Sequence, residues 1–589
     1  MLYGPSGSGT TAVALRLGAL CHGLFPDGQF YVDLRDGAGE IGPSPAAVLL
    51  RLLRRMGVEP ERIPPTESGR EELYRRLLSG RRAMVVVDHA SSAAQVRGLV
   101  PSTPEVFLLV VVSGQPFVWE AEHVEVPPLN DRYARKMLTK VAGRENIARV
   151  KRRMPDVLAH CAGNPFALKT TAMRLQAGDI DLGLGLGQGS DHAGPPTVTS
   201  GRHPVRDTAQ LACDRVRAST ARLCRLTALG GWPSVNARLA AAAAGVTEEE
   251  AVRMLAEAVD AQLLEPMTDG RHRFRPEVQR YLADTAAVEH GIPACSAAIA
   301  RTLEVLLNRA AHAAHAALPQ SWRTEPAPAH GEAYRDEAEG VAALAEELDN
   351  LVHAVSVAVE YQHIGTALRL GRALWPLQLK SGYWDEVLPA LRAAARSADD
   401  HQPLSRMAGA LHFQLAHCLG ELGHADDADV QARAALACES AAGHLRGEAS
   451  STELRGLLYL HRWLGDEAYE QFVEAEGLYN QIAPGEEGGQ DVPRALALAW
   501  RHQGRALRMM GRLEESRDLL ERAGDFFKQE GEAYNQARAL TDLAETLHAA
   551  GENAEALLRI ADAERLLDPS ATPHLGYLAG LRLRCEVNG

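Results

Sequence analysis

Lysine is scarce in this chain: it occupies six positions among 62 lysines and arginines. The arginine bias reads as a compositional habit and carries no functional weight. Aromatic residues make up only 5% of the 589 residues, which favours helices over β-sandwiches. The eight cysteines form no C-x-x-C pair, so neither a disulfide framework nor a zinc site is indicated. No apolar run approaches the roughly 18 residues of a membrane helix. Met1 runs straight into the first motif, so the expectation is a cytoplasmic protein without a signal peptide. The net charge of −14 makes the surface as a whole a poor match for a nucleic-acid backbone. There is no His-Glu-x-x-His and no Gly-x-Ser-x-Gly. His312 and His315 share an i, i+3 spacing but lack a carboxylate partner, so they read as ordinary helix residues.

What is present starts at once. Gly4-Pro-Ser6-Gly7-Ser8-Gly9-Thr10-Thr11 has the spacing of a phosphate-binding loop, G-x-x-x-x-G-K-[ST]. Thr11 supplies the final hydroxyl, but Thr10 stands where the lysine belongs. Such a loop normally follows a buried strand, and only Met1, Leu2 and Tyr3 are available for one. The expectation is that the natural protein begins upstream.

Residues 12–22 read as the helix behind the loop, with its N-terminal N–H groups and positive dipole end aimed at phosphate. Strands are expected at 29–34, 83–88 and 105–112, with helices near 45–56 and 70–79. Continuous β-branched runs alternating with helices predict a parallel, doubly wound sheet. The run Ala83-Met-Val-Val-Val-Asp88 places a carboxylate at the carboxyl edge of a strand, where a magnesium-binding acid belongs. Residues 128–178 read as helical, broken at Gly163-Asn-Pro165. A Gly/Pro/Ser-rich linker follows over 179–205.

From 206 to 284 a helical module ends in a hairpin with an Asp-Gly turn, Gln262–Met267 against Arg271–Phe274, which predicts a winged helix. Thr247 and Glu250 form a capping-box signature. The Glu-rich start of that helix argues against phosphate contact, so direct DNA binding by this chain is not expected. From about 340 a helix–Gly–acidic–helix pattern recurs at Gly382, Gly423, Gly465, Gly511 and Gly551. It predicts tetratricopeptide-like repeats whose concave face binds a protein or peptide.

In this order the motifs resemble the NB-ARC branch of the STAND signal-transduction ATPases, especially those in large antibiotic-pathway regulators of filamentous bacteria. The residues that carry the resemblance are Phe25–Leu34, Ala83–Ala90 with Ala94–Val96, Gly163–Leu168, the winged-helix pattern, and Leu374-Trp-Pro with Gly382-Tyr-Trp384. It implies a switch that ADP closes and ATP opens, with oligomerisation on opening. It also implies Thr11 and Asp88 sharing magnesium, and Pro165 packing near adenine. Family members usually carry a DNA-binding region ahead of the ATPase.

Three departures stand out. The loop lysine is Thr10, the sensor arginine position is Gly114, and the family's Met-His-Asp triplet reads Phe274-Arg275-Pro276. Each missing charge-assisted contact costs about 1.5–3 kcal/mol, so ATP binding is expected to be weak and hydrolysis weak or absent. Arg275 is a candidate cation for the β-phosphate, which would favour ADP; the alternative is a solvated surface charge.

The expected chain is multidomain and mainly α. It has a P-loop α/β domain at 1–120, a helical subdomain at 121–180, the linker at 181–205 and the winged helix at 206–290. A helical connector at 291–365 leads to the repeat α-solenoid at 366–589. The expected ligand is ADP or ATP with magnesium, held by Gly4, Ser6, Gly7, Ser8, Gly9, Thr10, Thr11, Asp88, Pro165 and Arg275. The competing readings are a nucleotide-free pseudo-ATPase scaffold, with no cofactor, and a transcription regulator lacking its DNA-binding end.

Overall fold

The computed structural model describes residues 1–35, 44–58, 63–64, 66–176, 204–267, 269–319, 321–327, 329, 334–568 and 571–587. The chain forms two compact units. One is built from Met1–Val58, Glu67–Gln320 and Glu325–Ala373. The other is built from Leu374–Gly589 with Glu59–Thr66 and Ser321–Thr324.

The first unit opens with β1 (Leu2–Gly4), α1 (Thr10–Leu20), β2 (Gln29–Asp33), α2 (Pro45–Arg55), α3 (Glu67–Leu78), β3 (Met84–Asp88), α4 (Ala93–Arg97), β4 (Phe107–Ser113) and β5 (Val124–Glu125). The sheet order is β2-β3-β4-β1-β5, and every pairing is parallel. All five residues of β3 are buried, as its unbroken apolar run demands. Leu2, Ala14, Met84, Val86, Leu109 and Val111 form one core cluster between sheet and α1. Helix α1 begins two residues earlier than expected, because Gly9 in the left-handed region serves as its N-cap.

Four helices follow: α5 (Asp131–Ala142), α6 (Arg144–Arg149), α7 (Met154–Cys161) and α8 (Pro165–Gln176). They share a core around Leu138, Val157, Leu158 and Leu168. Most of the Gly-rich linker lies outside the described residues, but α9 (Pro204–Cys213) starts just inside its expected end.

Next come α10 (Ala218–Ala228), α11 (Ala237–Ala244), α12 (Glu248–Asp260), the hairpin β6 (Leu264–Pro266) and β7 (His272–Phe274), and α13 (Pro276–His290). The capping box is complete: Thr247 accepts from the Glu250 N–H while the Glu250 carboxylate accepts from the Thr247 N–H. The hairpin is antiparallel, with Leu264 opposite Phe274. The unit closes with α14 (Ile292–Ala317), α15 (Glu337–Glu346), α16 (Leu348–Glu360) and α17 (Ile364–Ala373).

The second unit is a run of helices: α18 (Trp375–Ser381), α19 (Trp384–His401), α20 (Arg406–Glu421), α21 (Ala425–Ala441), α22 (Leu445–His461), α23 (Gly465–Tyr479), α24 (Val492–Met509), α25 (Leu513–Gln529), α26 (Ala533–Ala549), α27 (Asn553–Leu566) and α28 (Thr572–Val587). From α19 onward each helix packs on the next in sequence, as the repeat pattern predicts. Close approach is visible at Gly504, where an added Cβ would lie 2.6 Å from Leu520 Cγ. On α25, Leu520, Ala523 and Phe527 are buried, as expected.

One repeat landmark needs correction. At the turns after α20, α24 and α26 a left-handed glycine ends the helix: Gly423, Gly511 and Gly551, with φ of 80°, 77° and 82°. The same backbone hydrogen bonds end α22, but there the left-handed residue is Trp463, φ 60°. Gly465, which the sequence pattern aligns with these glycines, instead opens α23. Tryptophan hides the register because only glycine is recognisable as a residue of positive φ.

Candidate nucleotide site

The strand order brings the carboxyl ends of β1, β3 and β4 to one edge, where ligands of open α/β sheets bind. Gly4 pairs with Ser113, and the Gly114 N–H donates to the Gly4 carbonyl at 2.8 Å. The loop leaves that edge and turns sharply. Ser8 N–H donates to the Pro5 carbonyl at 2.9 Å, and Gly7 and Gly9 have φ of 77° and 91°. The loop then runs into α1, whose first N–H groups, at Thr10, Thr11 and Ala12, have no carbonyl one turn earlier to bond. Among the described residues nothing lies within 4 Å of where a Cβ on Gly9 would sit, so the space above it is open. Ser8 Oγ is buried with no hydrogen-bond partner among the described residues. Thr10, at the lysine position, is 6% exposed, so its short side chain packs inward. Ser6 and Thr11 are half-buried. These features fit an anion over the loop.

Asn164, within the expected helix break, is a loop contact that sequence reasoning missed. Its Nδ2 donates to the Ser6 carbonyl at 2.9 Å. Its Oδ1 accepts from the N–H groups of Phe166 and Ala167 at 3.0 and 3.2 Å, capping α8. An added Cβ on Gly7 would sit 2.8 Å from that amide. Pro165, the candidate adenine neighbour, is the first residue of α8 and is thereby held beside the loop. The signal was present as Asn-Pro at a helix start, which pairs a cap with a preset φ.

Asp88 is fully buried at the end of β3. Both of its oxygens are engaged: Oδ2 accepts from the Tyr31 hydroxyl at 2.8 Å, and Oδ1 from the His89 N–H at 2.8 Å. A magnesium ion shared with Thr11 would compete with these donors, so the fit for metal is poorer than the fit for phosphate. Burial, with the nearby Asp88 and Asp33 charges, pushes the Tyr31 hydroxyl well above its ordinary range and keeps it protonated.

Asp33 stands in register beside Asp88, a second carboxylate that went unnoticed because β2 was read without its partner. It is 2% exposed and collects three cationic or ring partners. His89 Nδ1 lies 3.0 Å away, Arg35 Nη2 donates at 2.9 Å, and Arg273 Nη1 at 2.8 Å. Burial alone would raise the Asp33 carboxyl, but hydrogen bonds to His89 and Arg35 and their charge outweigh it and hold it well below the carboxylate range. His89 sits at φ 59°, a conformation that returns its ring to the two acids.

Arg275 lies near the α8 start and is partly exposed. Its guanidinium lies over the Phe166 ring, 4.5 Å from the centroid, and pairs with Glu265. Burial lowers its pKa and Glu265 raises it, with a net lowering. The residue is therefore next to the α8 turn that holds the loop, with its charge already engaged. Together the hairpin residues Arg273 and Arg275 tie β7 to the end of β2 and to α8.

No established family profile matches the chain. It is 28% identical over 538 residues to Regulatory protein AfsR of Streptomyces coelicolor, covering 88% of this chain and 52% of that protein. It is 30% identical over 313 residues to Regulatory protein AfsR of Streptomyces griseus, covering 52% of this chain and 32% of that protein. The chain thus spans about half the length of the first of these relatives and about a third of the second. Among solved structures, a STAND protein with a tetratricopeptide repeat sensor from Pyrococcus horikoshii covers 96% of this chain, with 80% of that structure matched, at 12% identity and a TM-score of 0.45. Over most of its length the chain is similar to Regulatory protein AfsR of Streptomyces coelicolor, and its architecture is an α/β domain with a parallel sheet followed by helical modules and a run of repeat-like helices.

Proposed function

We propose that this chain is the switch-and-sensor part of a regulatory signal-transduction protein, and that it binds adenine nucleotide, ADP in preference to ATP. The observation that carries the reading is the Asn164 bridge. A phosphate-type loop is fixed, through one amide, to the helix start that bears Pro165 and Phe166, with Arg275 stacked on the far side. An ADP β-phosphate would take the N–H groups at the start of α1. Gly4, Gly7 and Gly9 would let the backbone approach it, and Ser6 and Ser8 would line it.

The preference for ADP follows from what is absent at the γ-position. Thr10 and Gly114 supply no cation there, and both oxygens of Asp88 are already taken. Magnesium, where bound, neutralises phosphate charge; Thr11 and Asp88 are the residues to hold it. In this reading helices α10–α12 with the β6–β7 hairpin act as a winged helix that closes on the nucleotide domain. Exchange of nucleotide releases it, permits self-association, and passes a signal from a protein bound by the repeats, with an effect on transcription at one remove. Direct DNA contact by this chain is not part of the proposal.

The test is to denature purified protein and identify released nucleotide by chromatography. Calorimetry then compares ADP and ATP on wild type and Arg275→Ala. ADP released, and bound more tightly than ATP, supports the reading. Equal ADP affinities for the two proteins would remove Arg275 from it. No nucleotide bound under any condition would favour the scaffold reading, which the engaged Asp88 carboxylate also suits.

A further inference from the structure

The repeats carry a groove of about 580 Å³ that crosses α22, α24, α26 and α28 within the second unit. Its floor holds an excess of positive charge. Arg501, Arg505 and Arg508, at one-turn spacings on α24, surround the single Asp542 carboxylate of α26 at 2.6, 3.8 and 4.0 Å. Arg508 also pairs with Glu545. Arg584 of α28 lines the same groove and is exposed. The groove itself is thus lined by three guanidiniums, of Arg505, Arg508 and Arg584, against the one carboxylate of Glu545, while Arg501 and Asp542 are buried and pair with each other, in a chain whose net charge is −14. Burial lowers the Arg505 pKa; Asp542 and Glu545 raise it, Arg501 and Arg508 lower it further, and the net direction is down.

The rim supplies an independent observation. Trp463 is 82% exposed and lines this groove. It occupies the left-handed turn position that Gly423, Gly511 and Gly551 occupy in the sister turns. A side chain in that conformation strains the backbone, and the indole gains little burial among the described residues.

We propose that this groove binds an acidic peptide segment of a partner protein, one in which Asp and Glu residues flank an apolar side chain. The carboxylates would complete the arginine floor with charge-assisted, bidentate hydrogen bonds. The apolar side chain would cover Trp463 together with Met509 and Leu581. A nucleic acid matches less well, because three guanidiniums beside an apolar rim make too short a basic track for a run of backbone phosphates. The proposal rests on the reading of the repeats as the partner-sensing arm, and it does not need nucleotide at the loop.

The experiment is fluorescence anisotropy on the full chain with the labelled peptide Asp-Glu-Asp-Glu-Leu-Phe-Asp-Glu-Asp-Glu. The same peptide with every acid replaced by lysine, and oligothymidylate of similar charge, serve as comparisons. The acidic peptide is expected to bind best, and more weakly as salt rises. The double variant Arg505→Ala/Arg584→Ala should weaken it by at least about tenfold. Trp463→Gly should weaken it about tenfold as well, with the thermal midpoint kept or raised, because glycine suits the turn. Arg433→Ala, on α21 and outside the groove, should change nothing. Equal binding of the lysine peptide, tighter binding of oligothymidylate, or unchanged affinity in Trp463→Gly would overturn the proposal. Peptide binding by protein that releases no nucleotide would leave this inference standing while the nucleotide reading fell.

Discussion

Arg273 Nη1 donates to Asp33 Oδ2 at 2.8 Å across 240 positions of sequence, joining the β6–β7 hairpin to the carboxyl edge of the sheet. Removing one partner of a fully buried ion pair costs about 3–5 kcal/mol, an upper bound here because Arg273 is partly exposed. Asp33→Asn should therefore destabilise the first unit by up to that amount and raise hydrogen exchange in β6 and β7. An unchanged exchange rate there would mean that the pair does not hold the hairpin.

Asp33 also fixes a pH dependence, through its hydrogen bonds to His89 and Arg35. Asp33 has its pKa depressed from 3.8 on folding, so its contribution is complete above that value and drains away as pH falls towards the lower folded pKa. Denaturation midpoints followed from neutral to acid pH should fall more steeply in wild type than in Asp33→Asn. Parallel curves would refute the assignment.

Asn164 separates cap from bridge. Asn164→Ala loses both, with a capping cost of about 1–2 kcal/mol. Asn164→Asp keeps an oxygen for the Phe166 and Ala167 N–H groups but loses the donor to Ser6. If the bridge shapes the loop, Asn164→Asp should retain most of the stability and still weaken ADP, as read by calorimetry.

Thr10→Lys restores the missing loop cation. One charge-assisted contact of about 1.5–3 kcal/mol should raise ATP affinity by roughly ten- to a hundredfold and leave ADP less affected. No gain for ATP would point to Asp88 and Gly114 as the stronger obstacles.

In the repeats, burial pushes the Glu453 carboxyl up to about 7 from 4.5, although the Tyr479 hydroxyl donating to it at 2.9 Å works the other way. The folded state holds the proton longer, so stability is fullest below pH 4.5 and is lost as pH rises through about 7. Glu453→Gln should flatten that slope in thermal melts; an unaltered slope would exclude Glu453 as its source.

Elements set by local pattern were readable in advance. The apolar run of β3, the capping box at Thr247 and the Asp-Gly hairpin each carry their own signal within a few residues, and each formed where expected. Relations between distant segments were not readable. Nothing local in Arg273 marks it as the partner of Asp33, and the Asn164 amide shows its second role only once β1 and α8 meet. The slip at Gly465 has a related cause. A positive φ is a property of backbone, and the residue that bears it here, Trp463, is one that local pattern does not associate with it.

Arg271, Arg273 and Arg275 alternate along one extended segment, and each engages a different element. Arg271 meets Glu347 at the start of α16 at 2.8 Å, Arg273 meets Asp33, and Arg275 meets Phe166. Their common spacing of two means that they share one phase. A single residue inserted at Asp269-Gly270 would shift the register and misdirect all three guanidiniums together, whereas two residues would restore the phase. The hairpin turn should therefore tolerate length changes in steps of two, an arithmetic constraint on how this segment can diverge.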